Sequence, residues 1–165
     1  MRYYDTFDSP HGGMLIAASE NGITGVYFER QKYWPARRDG WQHAPSNVHL
    51  RKAKKQLAEY FAGKRREFTF PLDLRGTDFQ RACWRALLAI PYGETRSYAD
   101  VARAVGKPNA FRAVGMANNR NPLAIVVPCH RVIASDGTLC GYGGGLDVKR
   151  KLLELEDALT KTLAA

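Results

Sequence analysis

Leu123-Ala124-Ile125-Val126-Val127-Pro128-Cys129-His130-Arg131 joins an apolar run to a short segment of reactive side chains. Five consecutive apolar residues predict a buried segment, and Pro128 ends it because proline lacks a backbone N–H. A thiol becomes a nucleophile when it loses its proton, which a neighbouring base or cation promotes. We therefore interpret Cys129 as a candidate nucleophile, with His130 as the base that accepts its proton directly or through a water. The alternative is a core cysteine beside a satisfied histidine.

A carboxylate in the predicted last helix, from Asp147 to about Leu159, extends this group. The buried face of that helix is marked by Leu152, Leu155 and Leu159. Glu156 lies within that face by the helical turn of about 100° per residue, whereas Glu154 points away. A buried carboxylate needs a partner, and His130 is the candidate, giving a Cys-His-Glu relay like those of hydrolases. The alternative is that Glu156 only pairs with a nearby arginine or lysine.

The composition indicates a globular protein with a polyanionic partner. The 165 residues are 45% hydrophobic and 25% charged, with a formal net charge of +9. Charge by itself is equally consistent with a merely basic protein. No apolar run approaches the roughly 18 residues of a membrane span, and Met1 to Asp5 has no signal-peptide core. We therefore expect a soluble, cytoplasmic protein with no membrane partner.

Positive charge is concentrated around the candidate nucleophile. Between Phe79 and Arg131 only Glu94 and Asp100 are acidic, and eight residues are basic: Arg81, Arg85, Arg96, Arg103, Lys107, Arg112, Arg120 and Arg131. A positive field around the site favours an anionic substrate.

Cysteine spacing argues against metal and disulfide chemistry. The three cysteines are Cys83, Cys129 and Cys140, and no two of them form a Cys-x-x-Cys pair. We expect neither a zinc site nor a disulfide framework. Cys83 is four residues from both Phe79 and Leu87, which predicts a structural core position, whereas the role of Cys140 stays open.

The fold class predicted is α/β (α+β), in two domains. Residues 1–75 form a small antiparallel sheet plus a helix. Met14 to Ala18 and Ile23 to Phe28 are its strands, paired as a hairpin around a turn at Glu20 to Gly22. An aperiodic loop from about Tyr33 to Pro45 precedes a helix that follows Ser46 and stops at Gly63. Phe68 to Phe70 is a candidate short strand.

Residues 76–165 form the second, mainly helical domain. Thr77 and Gln80 have the spacing of a capping box for its first helix. Ser97 to Val105 and a second helix capped by Asn109, joined by a glycine-containing turn, predict a helix-turn-helix. That pattern by itself is weak, because many helical hairpins bind nothing. Gly141 to Gly145 allows close backbone approach to a ligand, or forms a flexible surface loop.

Taken together, these motifs resemble the O6-alkylguanine-DNA alkyltransferases. The likeness covers about residues 76–156 and includes five further segments besides Pro128 to Ile133: Gly93 to Tyr98, Phe111 to Gly115, Asn121-Pro122, Gly141 to Gly145 and Leu152 to Glu156. The family implies irreversible, single-use transfer of an alkyl group from O6-alkylguanine, and O4-alkylthymine, to Cys129. The partner implied is duplex DNA with alkylated bases, bound in the minor groove with the damaged nucleotide flipped out. No cofactor and no obligate protein partner are implied.

The resemblance also implies a role for individual residues. His130, Glu156 and a water would remove the proton from Cys129, and Tyr98 would lie near the rotated phosphate and donate to N3 of the purine. Arg112 would fill the vacated base stack, with Ala113 and Gly115 on the same DNA-binding helix.

The remaining implied residues belong to the substrate pocket. Main-chain groups of Cys129, Val132 and Gly143 would read the base, and Tyr142 would pack against it. Asn121 would brace the helix-turn-helix against the active-site turn. Some members bind zinc in the N-terminal domain; with no cysteine before Cys83, we expect none here.

Two other functions compete with this prediction. A thiol hydrolase using Cys129, His130 and Glu156 would turn over acyl substrates without DNA. A lesion-sensing module would bind DNA and leave the thiol unmodified.

Overall fold

A computed structural model describes residues 1–31, 34–35, 38–139 and 141–157. The fold is mixed α/β, as predicted. Contacts divide it into two units: Met1–Arg75 with Pro122–Ala124, and Gly76–Asn121 with the described residues from Ile125 onward. Cys140, whose role the sequence leaves open, is not among the described residues.

The first unit is built on a four-stranded sheet with the order β3-β2-β1-β4. Its strands are β1 (Arg2–Ser9), β2 (Gly12–Ala18), β3 (Ile23–Phe28) and β4 (Trp41–His43). The β2–β3 hairpin is confirmed, but β1 was missed and β4 lies in the predicted loop. β4 pairs parallel with β1, so the prediction of an antiparallel sheet was wrong: the sheet is mixed. β1 and β4 are far apart in sequence, and local patterns carry no signal of such pairing.

Helix α1 (Val48–Phe61) begins at Asn47, whose side chain accepts from the backbone N–H groups of His49 and Leu50. The predicted apolar face is largely confirmed, since Leu50, Ala53 and Leu57 are buried and Phe61 is half-buried. The predicted strand at Phe68 to Phe70 is wrong. The backbone N–H of Thr69 donates instead to the side chain of Gln56 at 2.9 Å.

Within its described residues the second unit contains one 3-10 turn (Cys129–Arg131) and four α-helices: α2 (Asp78–Leu88), α3 (Tyr98–Ala104), α4 (Phe111–Asn119) and α5 (Leu146–Leu155). The capping box of Thr77 and Gln80 is confirmed, and Ser97 forms a second one with Asp100. α4 begins at Ala110 without any side-chain cap, so the prediction that Asn109 caps it was wrong.

The last helix is shorter than predicted. α5 ends at Leu155, Glu156 caps it and Asp157 has φ 62°; the predicted end at Leu159 lies outside the described residues. Leu152 is buried as predicted, but Leu155 is only half-buried and Leu153 is buried instead. The buried face is therefore rotated slightly from the one predicted, and it keeps Glu156.

Two short strands connect α3 to the segment that follows Cys129. β5 (Arg96–Ser97) pairs parallel with β6 (Val132–Ile133), with Arg96 opposite Val132 and Ser97 opposite Ile133. Because Ser97 is also the N-cap of α3, this pairing fixes the start of α3 beside the candidate active site.

Trp84 joins α2 to α4. Its indole Nε1 donates to the carbonyl oxygen of Ala117 at 3.0 Å, and the side chain is 2% exposed. Trp84→Phe removes this hydrogen bond and part of the buried volume, so we expect the free energy of unfolding to fall by about 1–3 kcal/mol. Urea denaturation measures this change. Leu88→Ala, at a side chain 41% exposed, is the control, and an equal loss in both variants would contradict this account of the interface.

Candidate active site

Asn121 holds the turn that carries Cys129. Its side-chain Nδ2 donates to the carbonyl oxygen of Val127 at 2.8 Å and to Cys129 Sγ at 3.3 Å. The backbone N–H of Cys129 donates to the same carbonyl at 2.8 Å. Pro128, between them, has φ −81° and ψ 65°, the conformation of an inverse γ-turn. The turn therefore places the sulfur against an amide donor that favours its negatively charged form.

The apolar run before Cys129 is buried as expected, and residues 124–126 within it form a turn. Ile125 has φ 71° and is 1% exposed. A β-branched residue in the left-handed region is strained by about 1–3 kcal/mol, and such strain persists only where the surrounding structure holds it. The chain thus reaches the thiol through a strained and buried turn.

Glu156 is a buried carboxylate shared by two adjacent residues. His130 Nε2 lies 2.7 Å from Glu156 Oε2, and Arg131 Nε donates to Oε1 at 2.7 Å. A further bond joins Arg131 Nη2 to Oε2 at 3.1 Å. The predicted contact between Glu156 and His130 is therefore present, and Glu156 does not pair with a cation alone. The relay itself stays a prediction.

The charges in this group determine the state of the imidazole. Burial would raise the pKa of Glu156, but His130 and Arg131 outweigh burial and hold that pKa well below its usual value. Burial lowers the pKa of His130 despite the opposing effect of Glu156. At neutral pH the imidazole is therefore uncharged. It donates from Nε2 to the carboxylate, and Nδ1 becomes the acceptor. Nδ1 is buried and has no hydrogen-bond partner within the described part of the chain.

Cys129 itself is buried, with 8% of its surface exposed. Burial raises the pKa of its thiol, whereas the hydrogen bond from Asn121 and the charge of Lys149 oppose that rise. The group is consequently a thiol at rest, in surroundings that contain both a donor and a cation for the thiolate.

Lys149 is a functional candidate that the sequence reasoning missed. It is fully buried in α5, and its Nζ donates to the carbonyl oxygens of Val132 at 2.6 Å and Gly141 at 3.3 Å. It therefore ties β6 to the glycine-rich loop. A signal was available, because Lys149 precedes Leu152 and Leu153 by three and four residues and so shares the face that identified Glu156.

The glycine-rich loop and Tyr98 lie close together. A Cβ added to Gly141 would lie 3.7 Å from the Tyr98 hydroxyl. Tyr142 keeps part of its surface exposed, but its hydroxyl is buried, and burial together with the nearby Cys129 and Glu156 raises the pKa of that hydroxyl well above its usual value. Val132 is buried at the start of β6, and Gly143 is exposed.

The outer face of α4 carries the predicted DNA-binding residues. Arg112 and Ala113 are exposed, Gly115 is half-buried, and Met116 is 70% exposed. A Cβ added to Gly115 would meet no atom within 4 Å. A helical glycine costs about 1 kcal/mol relative to alanine, so internal packing gives no reason for glycine here.

Across residues 1–31, 34–35, 38–139 and 141–157, no three His, Cys, Asp or Glu side chains are placed to hold a metal ion. None of the helices in that part of the chain is both long and apolar enough to span a membrane.

Family models match both parts of the chain. The model described as 6-O-methylguanine DNA methyltransferase, ribonuclease-like domain, matches residues 2–74. The model described as 6-O-methylguanine DNA methyltransferase, DNA binding domain, matches residues 78–158, which include every residue of the candidate active site.

Individual relatives are similar over nearly the whole length. The methylated-DNA–protein-cysteine methyltransferase of Methanosarcina barkeri is 49% identical over 155 residues, 94% of this chain and 97% of the relative. The protein of the same name from Mycobacterium tuberculosis is 52% identical over 156 residues, 94% and 93% of the two chains. The crystal structure of Mycobacterium tuberculosis OGT in complex with DNA has 51% identity and a TM-score of 0.89, covering 95% and 94%. This chain therefore belongs to the 6-O-methylguanine DNA methyltransferase family.

Proposed function

We propose that this chain repairs DNA by transferring an alkyl group from O6 of guanine in duplex DNA to its own Cys129, once and irreversibly. The observation that carries the proposal is the arrangement around one buried thiol. Asn121 donates to the sulfur, and the next residue is an uncharged imidazole held by a buried carboxylate. This arrangement can generate a thiolate without metal or cofactor. Family membership supplies the substrate class.

Proton transfer from the thiol begins the reaction. With Nε2 of His130 bonded to Glu156, Nδ1 accepts the proton from Cys129 through a water. Glu156 stabilises the imidazolium that results, and Lys149 and Asn121 stabilise the thiolate. Arg131 keeps the carboxylate ionised throughout.

Alkyl transfer follows as a single displacement. The thiolate sulfur forms a bond to the alkyl carbon while the bond from that carbon to O6 breaks, and the electron pair moves onto the guanine. Tyr98 donates a hydrogen bond to N3 of the purine, which makes the guanine a better leaving group. Main-chain groups of Val132 and Gly143 read the base and Tyr142 packs against it. The thioether is stable, so the protein acts once.

Reaction in duplex DNA requires the base to leave the helix, because the alkyl carbon is unreachable within the stack. In this proposal α3 and α4 form a helix-turn-helix, and α4 lies in the minor groove. Arg112 enters the vacated stack, and Ala113 and Gly115 leave the helix surface smooth enough for the sugar-phosphate backbone to come close. The unexplained glycine at position 115 supports this role.

The proposal includes O4-alkylthymine as a second substrate, since it presents the same alkyl–oxygen bond next to a ring nitrogen. It also places the reaction in the cytoplasm, where reducing conditions keep Cys129 as a free thiol.

The central test is the mass of the protein after exposure to damaged DNA. Incubation with duplex DNA containing O6-methylguanine should convert one thiol hydrogen to a methyl group, on the peptide containing Cys129, with stoichiometric loss of activity. Cys129→Ala should abolish transfer and retain binding to the lesion. Binding without added mass would instead indicate a lesion sensor, and repeated turnover on a thioester would indicate a hydrolase.

Removing the shared carboxylate should reduce both stability and transfer. Glu156→Gln leaves Arg131 as a buried cation without a charged partner, so we expect a loss of about 3–5 kcal/mol at neutral pH. Because the folded-state pKa of Glu156 is depressed, its stabilisation is complete above the unfolded pKa of about 4.3 and is lost progressively as pH falls from there towards the lower folded-state pKa. Urea denaturation from pH 7 to 3 should therefore show that the difference in unfolding free energy between the variant and the wild type becomes smaller as the pH falls. A difference that stays constant would contradict an ionised Glu156.

Arg112 should matter for duplex DNA and not for chemistry at the sulfur. Arg112→Ala should slow methyl transfer from duplex by roughly one to two orders of magnitude, the loss of about 1–3 kcal/mol of stacking. Reaction with free O6-benzylguanine base should keep the wild-type rate. Arg150→Ala, exposed on α5, is the matched control. Equal slowing with duplex and free base would exclude a role in base flipping.

A further inference from the structure

Helix α1 in the first unit has an exposed cationic face that the proposed chemistry does not use. Its members are Arg51, Lys52 and Lys55, all exposed, and within the described residues none of them has a carboxylate within 4 Å. Lys54 differs, because its Nζ lies 3.4 Å from Asp5. We refer to Arg51, Lys52 and Lys55 as the α1 cationic face.

These charges repel one another along the helix. Arg51 and Lys55 are four residues apart, and Lys52 and Lys55 are three apart, which places them side by side on the helix surface. The first turn of α1 contains no acidic residue to offset them. Glu59, one turn after Lys55, is engaged by Arg65 at 3.6 Å. The face therefore lowers the stability of the free helix, and a bound polyanion would relieve that repulsion.

The shape of the surface suits an extended ligand. A shallow groove of about 600 Å³ is lined by the three cations together with Val48, Lys54 and Ala58. Val48, at the start of the helix, is 71% exposed, and Ala58 contributes only a small side chain to the groove. These lining residues include no aromatic ring and no carboxylate, so the surface offers charge without base-specific contacts.

We propose that the α1 cationic face binds the phosphate backbone of duplex DNA, as a sequence-independent contact separate from α4. This inference rests on the proposed function, which makes duplex DNA the partner. Since surface charges are screened within about 8 Å at physiological salt, the three cations act by direct contact with phosphates. Each neutralised phosphate adds about 0.9 to the slope of log K against log salt concentration.

The test is the salt dependence of binding to undamaged duplex. Three contacts contribute a slope of about 2.7, so between 50 and 200 mM salt the wild type should lose about 40-fold more affinity than the triple variant Arg51→Gln/Lys52→Gln/Lys55→Gln. The thermal midpoint of the variant should equal or exceed that of the wild type, because like-charge repulsion is removed. The single variant Lys55→Gln should lower the salt slope by about 0.9, which is one third of the change expected for the triple variant. If the triple variant misfolds, this single variant provides the test of the DNA contact.

A matched triple variant separates local contact from net charge. Arg30→Gln/Lys64→Gln/Arg75→Gln removes the same charge from exposed positions of the same unit, and it also removes the ion pair of Arg75 with Asp73 at 2.9 Å. Equal slopes for both triple variants, or a wild-type slope in the α1 variant, would overturn the inference.

Two different measurements test the proposed function and the α1 cationic face. Methyl transfer from O6-methylguanine DNA to Cys129 by the wild-type protein tests the function. The slope difference tests the α1 cationic face, whether or not that transfer occurs.

Discussion

A buried carboxylate at the end of a helix is the constraint on which the active site depends. Glu156 caps the C-terminus of α5, where the helix dipole already disfavours negative charge. Burial adds a second penalty, and the charge persists because Arg131 binds it through two nitrogens. The same guanidinium donates to the carbonyl oxygen of Ile90 just after α2, so one ionic group ties α2, the cysteine turn and α5 together. The orientation of His130 follows from this arrangement.

The contacts that Asn121 makes with the cysteine turn are uncharged. Asn121 bonds both to the γ-turn and to the sulfur, which positions the thiol without adding a formal charge. Ile125, with its left-handed backbone, is itself 1% exposed. Such a turn holds the sulfur in one position before the substrate arrives. Holding the nucleophile in place in this way lowers the cost of reaching the geometry for attack.

Charge is distributed in two contrasting ways. Inside the second unit the buried ions have defined partners, as a low-dielectric interior requires. On the surface, α1 carries neighbouring cations that repel one another, and α4 has an exposed Arg112 beside a glycine that packing does not need. Features that lower the stability of the free protein without serving its packing are typical of binding surfaces. Both surfaces are suited to a phosphate backbone.

Local chemistry in the sequence by itself determined the β2–β3 hairpin, the capping box of Thr77, and the Cys129–His130 pair with Glu156 on a buried helical face. Each of these features is local, since the hairpin, the capping box, the Cys-His dipeptide and the face of the last helix all depend on residues within a few positions of one another, so periodicity and spacing reveal them. The contact between His130 and Glu156 spans 26 residues and is made by the fold. Tertiary structure decided the pairing of β4 with β1 and the left-handed turn at Ile125. It also brought Arg131 to the carboxylate and Lys149 to the loop. The strand pairing and the contacts of Arg131 and Lys149 join segments distant in sequence, and the left-handed conformation of Ile125 goes against the local preference of a β-branched residue. In each case burial and hydrogen bonding across the fold outweigh local preference.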